Sequence, residues 1–448
     1  MLSGISFKIY EFRKYLILSL VISLIAIPVA EFFVVQRDRN RNEMYGEAFW
    51  IYGFNVYNMT DHELATAMGG EWASNESDHT LPEYLGNITY EYPVFGLFFF
   101  AIATALFPGA HGLQHLWLNL ILVLVFNLNL VLIAVLLREK IYNVRWARLF
   151  FAGYFIYGLI MSAGGGKLEP IVDCLFLMAL VLMNEGQMGK AMVALGLSIQ
   201  TKVYSVVALP LLFIEAPISI LWFLASTLLT VIPFTFLGAD FGSLLRHFLN
   251  SAEYSGRTIV NPLYPGLFLE TPDPTGITVS YMWPPALIPL VIYLAFMAYT
   301  IPLYFPKTSE LREARGLRKL KVLVPFYVYM LPGILFVFSW VMPWYLFWLG
   351  PMVIFYKDDE QAIGYLKQIT VVGFLYAFGV ACNWPYFING PLPDFLTHFP
   401  FGWWTLMGLA FLTFLTGIAH QIWKREFERR ERRAKIRRKA ESRGELVI

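Results

Sequence analysis

Charged residues are scarce in this chain, and their scarcity excludes a soluble fold. Only 15% of its 448 residues are Asp, Glu, Lys or Arg, whereas 57% are apolar. Soluble globular domains carry about 25% charged residues. Cysteine is rarer still: Cys174 and Cys382 both lie in apolar stretches, so no disulfide framework is predicted.

Motifs that bind soluble nucleotides or metals are also missing. The sequence contains no Gly-rich phosphate loop, no Cys/His metal cluster and no Gly-x-Ser-x-Gly elbow. The run Gly164 to Gly166 lacks the Gly-Lys-Ser/Thr continuation that a nucleotide cradle needs. A soluble nucleotide-sugar or ATP site is therefore not expected. An anionic substrate that arrives from within the bilayer would need no such loop.

Long apolar stretches predict an all-α fold, a polytopic membrane helix bundle of ten to twelve spans with long external loops. The candidate spans are Tyr15–Val35, Gln114–Leu137, Ala147–Ala163, Pro170–Met183, Ile218–Leu237, Trp283–Phe305, Val322–Phe338, Tyr345–Tyr356, Ile369–Cys382 and Trp403–Ile422.

The distribution of positive charge predicts the orientation of the bundle. Lys8, Arg13 and Lys14 precede the first span, and residues 424–443 contain eleven Lys or Arg against four Glu. Both ends are therefore expected in the cytoplasm, with an even number of spans between them, in a prokaryotic plasma membrane or the endoplasmic reticulum. We divide the chain into a transmembrane unit, residues 1–423, and a basic tail, 424–448. A solvated helix is the favoured interpretation of the tail, ahead of binding to anionic lipid or ribosomal RNA.

Two segments are predicted to lie on the external or luminal face. The first covers residues 36–113; its loop, Gln36 to Tyr92, is too long for a connector and carries sequons at Asn58, Asn75 and Asn87. Within the same segment, Pro93–Phe107 is too short to span and is expected to be a re-entrant or interfacial helix. The second covers residues 238–282. Lys202 interrupts a further apolar run, which is expected to form two short broken spans, Ala191–Thr201 and Tyr204–Ile214.

Charged residues gather near the predicted external membrane boundary. Arg37, Arg39 and Arg41 lie there against the positive-inside tendency, so compensating carboxylates are expected. Glu169 and Asp173 are four residues apart and hence share a helix face. The pattern predicts a site for an anionic ligand whose reaction needs a base, and the alternative is a network of structural ion pairs. The other charged residues of the group are Glu31, Asp38, Glu43, Glu47, Lys167 and Lys202.

Four stretches resemble the polyprenyl-phosphate-sugar-dependent glycosyltransferases of the GT-C superfamily, in the prokaryotic mannosyltransferase-like branch that is also similar to the first GPI mannosyltransferase. They are Tyr45–Tyr57 (YGEAFWIYGFNVY), Thr89–Gly96 (TYEYPVFG), Gly166–Asp173 (GKLEPIVD) leading into Gly196–Tyr204 (GLSIQTKVY), and Ser339–Trp348 (SWVMPWYLFW). Their order and spacing match over the first half of the chain, with one further match near the C-terminal third.

The resemblance implies inverting transfer of a hexose, with mannose favoured, from a polyprenyl or dolichyl phosphate to an acceptor on the external face. The Asp-x-Asp of similar enzymes is absent, and Arg37-Asp38-Arg39 stands in its place. The base therefore stays open among Asp38, Glu43 and Glu47, with Glu31 less favoured. Lys202, Arg257, His247, Arg246 and Lys167 are the candidates to bind the donor phosphate. Candidate substrate-binding residues are Tyr90, Tyr92, Glu169, Asp173, Gln200, Tyr204 and Trp344.

The expected partners are a lipid-linked sugar donor, a glycan or glycolipid acceptor and membrane lipids, with no nucleic acid. No cofactor is required, and a divalent cation is optional because a monophosphate leaving group needs little charge neutralisation. A transporter of an anionic or lipid-linked substrate is the rival from another class, since interrupted helices and intramembrane charges mark transporters too. A lipid-linked ligase or phosphoethanolamine-type transferase is a third option. The long first external loop and the lack of an internal repeat favour the enzyme.

Overall fold

The structure of the chain is a computed structural model. It describes residues 2–33, 37–70, 72, 89–90, 92–109, 111–136, 153–209, 212–213, 216–238, 268–270, 279–281, 419, 423, 426–438 and 440–442. The elements named below lie within these ranges.

Helices dominate these ranges, which confirms the predicted helical membrane fold. Three segments are long and apolar enough to cross a bilayer, Phe12–Phe32, His111–Leu136 and Pro217–Phe236. The predicted spans from Trp283 to Ile422 lie outside the described residues, so ten to twelve spans stays a prediction. The α-helices are α1 (Leu2–Phe33), α2 (Arg37–Tyr52), α3 (Asp61–Met68), α4 (Val94–Thr104), α5 (His111–Leu136), α6 (Gly153–Gly164), α7 (Glu169–Asn184), α8 (Met188–Thr201), α9 (Ile220–Phe236) and the tail helix (426–438).

Polar side chains join α1 to α5 between otherwise apolar surfaces. The Ser19 hydroxyl donates to Asn127 Oδ1 at 2.7 Å, and Asn127 Nδ2 donates to Ser23 Oγ at 3.4 Å. Hydrogen bonds of this kind associate helices where lipid supplies no hydrophobic drive. The opposite side of α1 leaves Leu18, Ile25 and other apolar side chains exposed, as a lipid-facing surface requires.

The loop that follows α1 is folded, as predicted, from Arg37 to Gly70. It contains α2, a 3-10 helix at Gly53–Asn58 and α3. Thr60 starts α3 through a capping box: its hydroxyl accepts from the Glu63 amide at 3.2 Å, and the Glu63 carboxylate accepts from the Thr60 amide at 2.9 Å. The sequons at Asn75 and Asn87 lie outside the described residues, whereas Asn58 is exposed.

Helix α4 is short, as expected for a re-entrant or interfacial helix. Its 11 residues span about 16 Å, roughly half of a bilayer core. It packs on α2 through Gly46, where a Cβ would lie 2.7 Å from the Phe100 carbonyl carbon. Helix α4 also approaches the end of α8, because a Cβ on Gly96 would come within 2.9 Å of the Thr201 carbonyl oxygen.

The apolar run around Lys202 is broken, as predicted. Helix α8 ends at Thr201, Lys202 is extended (φ −157°, ψ 132°), and a 3-10 helix follows over Val203–Ala208. The second predicted short span, Tyr204–Ile214, therefore begins as a 3-10 helix, and its residues 210, 211 and 214 lie outside the described set. Because the backbone of Lys202 is extended, the side chains of Lys202 and Tyr204 can both reach α7, and the chain continues as the 3-10 helix.

One small sheet was not predicted. In the second external segment, Phe268–Glu270 (β1) pairs antiparallel with Val279–Tyr281 (β2), so that Leu269 lies opposite Ser280. The buried apolar core lies elsewhere, between α2, α4, α5 and α7. Its largest fully buried side chains include Tyr45, Tyr57, Tyr90 and Phe100. This core holds the helix ends at which the charged residues meet.

Candidate functional site

The charged residues singled out by the sequence meet at the ends of five helices. They come from the end of α1, the first turns of α2, the start of α5, the turn and first residues of α7, and the end of α8. Three groups can be distinguished by their contacts: a cluster around Arg39, the pair Asp38–Lys167, and the acidic residues of α7 with the break at Lys202.

The Arg39 cluster consists of Glu31, Arg39, Glu43 and His115. The Arg39 guanidinium binds Glu31 with two nitrogens, one of them 3.1 Å from Glu31 Oε1, and it lies 3.7 Å from Glu43 Oε1. His115 Nε2 lies 2.8 Å from Glu43 Oε2, and its Nδ1 lies 3.4 Å from Glu31 Oε1. One arginine and one histidine thus join two carboxylates from different helices.

Burial shapes the chemistry of Glu43, whose side chain has no exposed surface. Loss of water raises the pKa of this carboxyl above its ordinary value, although His115 and Arg39 both favour the ionised form. Glu31 is 32% exposed and is the open member of the cluster. Glu43 is therefore better suited to hold Arg39 and His115 in place than to meet a substrate.

Asp38 and Lys167 form an ion pair that lies beside the Arg39 cluster. The two residues are 129 positions apart, and 25% of the Asp38 side chain remains exposed. Gly166, with φ +55°, passes so close to Arg39 that a Cβ would collide with the arginine side chain. The glycine before Lys167 therefore allows the α6–α7 turn to approach α2.

Lys202 and Glu169 form the second lysine–carboxylate pair, with Nζ 2.7 Å from Oε1. Glu169 is completely buried, whereas 15% of the lysine side chain is exposed. The ammonium also lies 5.2 Å from the centre of the Tyr92 ring, a cation–π distance. Lys167 lies two residues before Glu169, so both lysine–carboxylate pairs lie at the start of α7.

Asp173 lies one helical turn beyond Glu169 and accepts two phenol hydrogen bonds. Tyr204 donates to Oδ1 at 2.6 Å and Tyr154 to Oδ2 at 2.8 Å, and all three side chains are buried. Glu169 and Asp173, four residues apart on α7, thus face Lys202 and Tyr204, which are two residues apart after the end of α8. The predicted face of α7 is confirmed.

The comparisons with known proteins give one finding. No family model matches the sequence, and no curated protein matches it. A crystal structure of ArnT from Cupriavidus metallidurans bound to undecaprenyl phosphate is similar at 12% sequence identity and a TM-score of 0.42, over 91% of this chain and 77% of that chain. The function proposed below therefore rests on the residues of this chain.

Several predicted site residues have partners that suit a structural role as well. The Glu47 carboxylate accepts from Trp72 Nε1 at 2.9 Å and from Gln114 Nε2 at 2.8 Å. Tyr90 is buried, stacks on Tyr45 and donates to an asparagine, and Gln200 Nε2 donates to two main-chain carbonyls. Their substrate or catalytic roles stay predictions. Arg246, His247, Arg257 and Trp344 lie outside the described residues.

The expected compensation of the external arginines is found for two of them. Arg39 is neutralised by Glu31 and Glu43, as above. Arg41 Nε lies 2.5 Å from Asp61 Oδ2, and the Tyr45 hydroxyl donates to Asp61 Oδ1 at 2.7 Å. The side chain of Arg37 lies outside the described set.

Sequence reasoning missed His115 and Tyr154 as members of the site. His115 was not among the predicted site residues, and its spacing from His111 places both histidines on one face of α5 without indicating their partners. Among the residues that the structure describes, no group of three His, Cys, Asp or Glu could hold a metal ion. Dependence on a divalent cation stays untested.

Proposed function

We propose that this chain is a membrane glycosyltransferase that moves a hexose from a polyprenyl-phosphate sugar to an acceptor hydroxyl on the external face. The observation that carries the proposal is the pair of lysines, Lys167 and Lys202. Each is paired with one carboxylate, and Lys167 lies two residues before Glu169, the partner of Lys202. A phosphate that enters beside them gains two charge-assisted contacts as it draws the ammonium groups from their carboxylates, which leaves Asp38 free to act as the base.

The chemistry balances with these groups. An acceptor oxygen attacks the anomeric carbon, the bond from that carbon to the phosphate oxygen breaks, and the electron pair leaves with the phosphate. Lys167 and Lys202 stabilise the negative charge that develops on the leaving phosphate. Asp38 receives the proton of the acceptor hydroxyl. Attack on the face opposite the phosphate inverts the anomeric configuration.

We assign the base to Asp38 because it combines exposure with a place beside the lysines. Glu43 is fully buried, and Glu47 already accepts hydrogen bonds from Trp72 and Gln114. Glu31 is exposed but is bound by the Arg39 guanidinium through two nitrogens. Asp38 is also the acidic residue that follows the first span most closely, in agreement with the resemblance.

The finer features of the proposal come from the resemblance. They are mannose as the hexose, a polyprenyl or dolichyl carrier, and a glycan or glycolipid as acceptor. Tyr92, whose carbonyl accepts from the Tyr57 hydroxyl at 2.9 Å, is held where its ring contacts Lys202 and is proposed to contact the donor sugar. Arg246, His247 and Arg257 are proposed as further phosphate ligands.

The test is transfer by purified protein in lipid nanodiscs supplied with radiolabelled polyprenyl-phosphate sugars, with GDP-mannose as the soluble control donor. Asp38→Asn preserves an oxygen that accepts from Lys167 but removes the proton acceptor, so turnover should fall by about 10² to 10⁴ with donor binding retained. Glu43→Gln is the matched amide control. Normal turnover in Asp38→Asn with collapse in Glu43→Gln would move the base to Glu43.

One observation favours the rival, a transporter. The α8 helix is interrupted at a cation inside an apolar run, as in transporters whose broken helices bind their substrate. Proteoliposomes separate the two functions. Flux of a lipid-linked or anionic substrate without formation of a new glycosidic bond would favour the transporter, whereas product that carries the label on the acceptor would favour the enzyme.

A further inference from the structure

An exposed aromatic pair, one ring from the tail helix, lies where the chain leaves its last predicted span. Trp423 and Phe427 stack on one another with ring centres 5.7 Å apart, and 64% and 56% of their surfaces are exposed. Two large aromatic rings held together in contact with solvent are costly unless another surface covers them. Tryptophan and phenylalanine at such a position are typical of membrane interfaces.

The periodicity of the helix extends this aromatic pair into a stripe. At about 100° per residue, Trp423, Phe427 and Ala434 fall within about 40° of one another. Arg430 and Arg437 lie along one edge of the stripe. Arg438 lies along the other edge, next to Glu431, so arginines flank the apolar side chains on both sides. Glu441, which pairs with Arg437, falls in line with the stripe two turns beyond Ala434 and marks its end.

The ion pairs within the tail helix neutralise only part of its positive charge. Glu426 contacts Arg429 and Arg430 at 3.9 and 3.3 Å, Glu431 contacts Lys435 at 3.4 Å, and Glu441 contacts Arg437 at 2.9 Å. Eleven basic residues against four glutamates nevertheless leave a large positive balance over residues 424–443. Pairs so exposed contribute little and are easily exchanged for other anions.

We propose that the tail helix lies along the membrane surface, with the Trp423, Phe427 and Ala434 stripe in the lipid interface and its flanking arginines on anionic lipid headgroups. This goes beyond the glycosyltransferase proposal and does not depend on it. We favour a membrane over ribosomal RNA because Trp423 directly follows the last predicted span, at the depth where aromatic side chains lie in the lipid interface. The solvated helix favoured from charge alone did not account for the aromatic pair.

The test uses the full-length protein, with Cys174→Ser and Cys382→Ser, carrying one nitroxide label at Ala434→Cys or Ile436→Cys. Ala434 lies in the stripe, and Ile436 is exposed on the opposite side. In nanodiscs of mixed phosphatidylglycerol and phosphatidylcholine, the label at 434 should become accessible to oxygen and protected from a nickel chelate, while that at 436 stays accessible to the chelate. In pure phosphatidylcholine both should stay accessible to the chelate.

Two sets of substitutions with the same change of charge test the stripe. Each set removes two internal ion pairs and one further arginine. The flanking set should lower the lipid-bound fraction at least about tenfold, and the opposite set by less than about threefold, since the helix diameter is close to a screening length. The flanking set is Arg430→Gln, Arg437→Gln and Arg438→Gln; the opposite set is Arg429→Gln, Arg432→Gln and Lys435→Gln.

Three outcomes would overturn the proposal. The first is that the label at 434 behaves as the label at 436 does in anionic nanodiscs, and the second is that the two sets of substitutions act equally. The third is that ribosomal RNA added to phosphatidylcholine nanodiscs immobilises both labels as strongly as anionic lipid does. The last result would identify nucleic acid as the partner.

Discussion

Glu169 is buried beside Lys202, so a substitution of Lys202 changes the stability of the protein as well as any contact with the donor. The carboxylate has no exposed surface and its Oε1 lies 2.7 Å from the Lys202 ammonium. Removing one partner of a buried ion pair typically costs about 3–5 kcal/mol, because the other charge stays buried without compensation. Loss of activity in the single variant Lys202→Met would therefore have two causes, weaker donor binding and lower stability.

The double variant Lys202→Met, Glu169→Gln separates the two effects. Neutralising both partners removes the uncompensated charge, so we expect its melting temperature to return most of the way to the wild-type value. Donor binding should stay at least about tenfold weaker, since a charge-assisted hydrogen bond contributes about 1.5–3 kcal/mol. Thermal unfolding in detergent and binding of a radiolabelled polyprenyl-phosphate sugar measure these quantities. Recovery of both the melting temperature and donor binding would show that the Lys202–Glu169 ion pair has a structural role only.

Glu43 predicts a pH dependence of stability with a definite sign. Because burial raises the pKa of this carboxyl in the folded state, its contribution is fully present below the ordinary glutamate pKa of about 4.3. That contribution is lost as the pH rises through the raised pKa. The difference in melting temperature between wild type and Glu43→Gln should therefore fall as the pH rises above about 4.3.

Gly112→Ala is the control for this titration, since it changes no ionisable group. Its difference from wild type should be the same across the range. A difference for Glu43→Gln that grows with pH would show that the contacts of Glu43 with Arg39 and His115 outweigh its burial. Glu31, which shares Arg39 and His115, is present in every variant.

Sequence reasoning identified most of the charged residues that meet in the structure, because charges at a membrane boundary or in an apolar run need partners. Asp38 and Lys167 were selected at the predicted external boundary and Lys202 in an apolar run, and the structure pairs each lysine with a carboxylate. His115 could not be selected in the same way, since a histidine at a helix start is unremarkable until the helix is placed. Its partners, Glu31 and Glu43, come from helices whose packing no local pattern specifies.

At the scale of elements, the close approach of α4 to the end of α8 depends on Gly96. An alanine Cβ there would lie 2.9 Å from the Thr201 carbonyl oxygen and 3.0 Å from Leu168 Cδ1. Both neighbours lead directly into site residues, Lys202 and Glu169. We expect Gly96→Ala to cost about 1–3 kcal/mol of stability and to reduce donor binding.

Gly112→Ala again provides the control, because a Cβ at that position on α5 meets nothing within 4 Å. Its melting temperature should be unchanged or slightly higher, as for a glycine replaced in an exposed helix. Equal destabilisation by the two substitutions would mean that the contact with Thr201 is not the cause.

Element boundaries were predictable where caps and apolar periodicity agree. The expected span Pro170–Met183 matches α7 (Glu169–Asn184) to one residue at each end, since Pro170 suits the first turn and the apolar run ends at Asn184. The 3-10 helix after Lys202 was not predictable, because Val203–Ala208 is as apolar as a span. Its conformation depends on tertiary contacts with α7, which the local sequence does not specify.

For the whole molecule, the charge asymmetry predicts that both termini face the cytoplasm and the loop after α1 faces outside. A reporter fused after Leu446 should therefore read as cytoplasmic. A tag inserted near Asn75 should be reached only by reagents added from outside. These two measurements in intact cells check the orientation, and the opposite accessibility would move the candidate site to the inner face.

The arrangement of α7 against the α8 break also limits how the site can move. Four residues of α-helix rise about 6 Å, and the two-residue step from Lys202 to Tyr204 covers at most about 6.6 Å, so Lys202 meets Glu169 as Tyr204 meets Asp173. Sliding by one residue would separate Glu169 from Lys202 and Asp173 from Tyr204, and it would leave Asp173 with Tyr154. Gradual slippage is therefore costly, and we expect the two segments to move together or to separate in a single step.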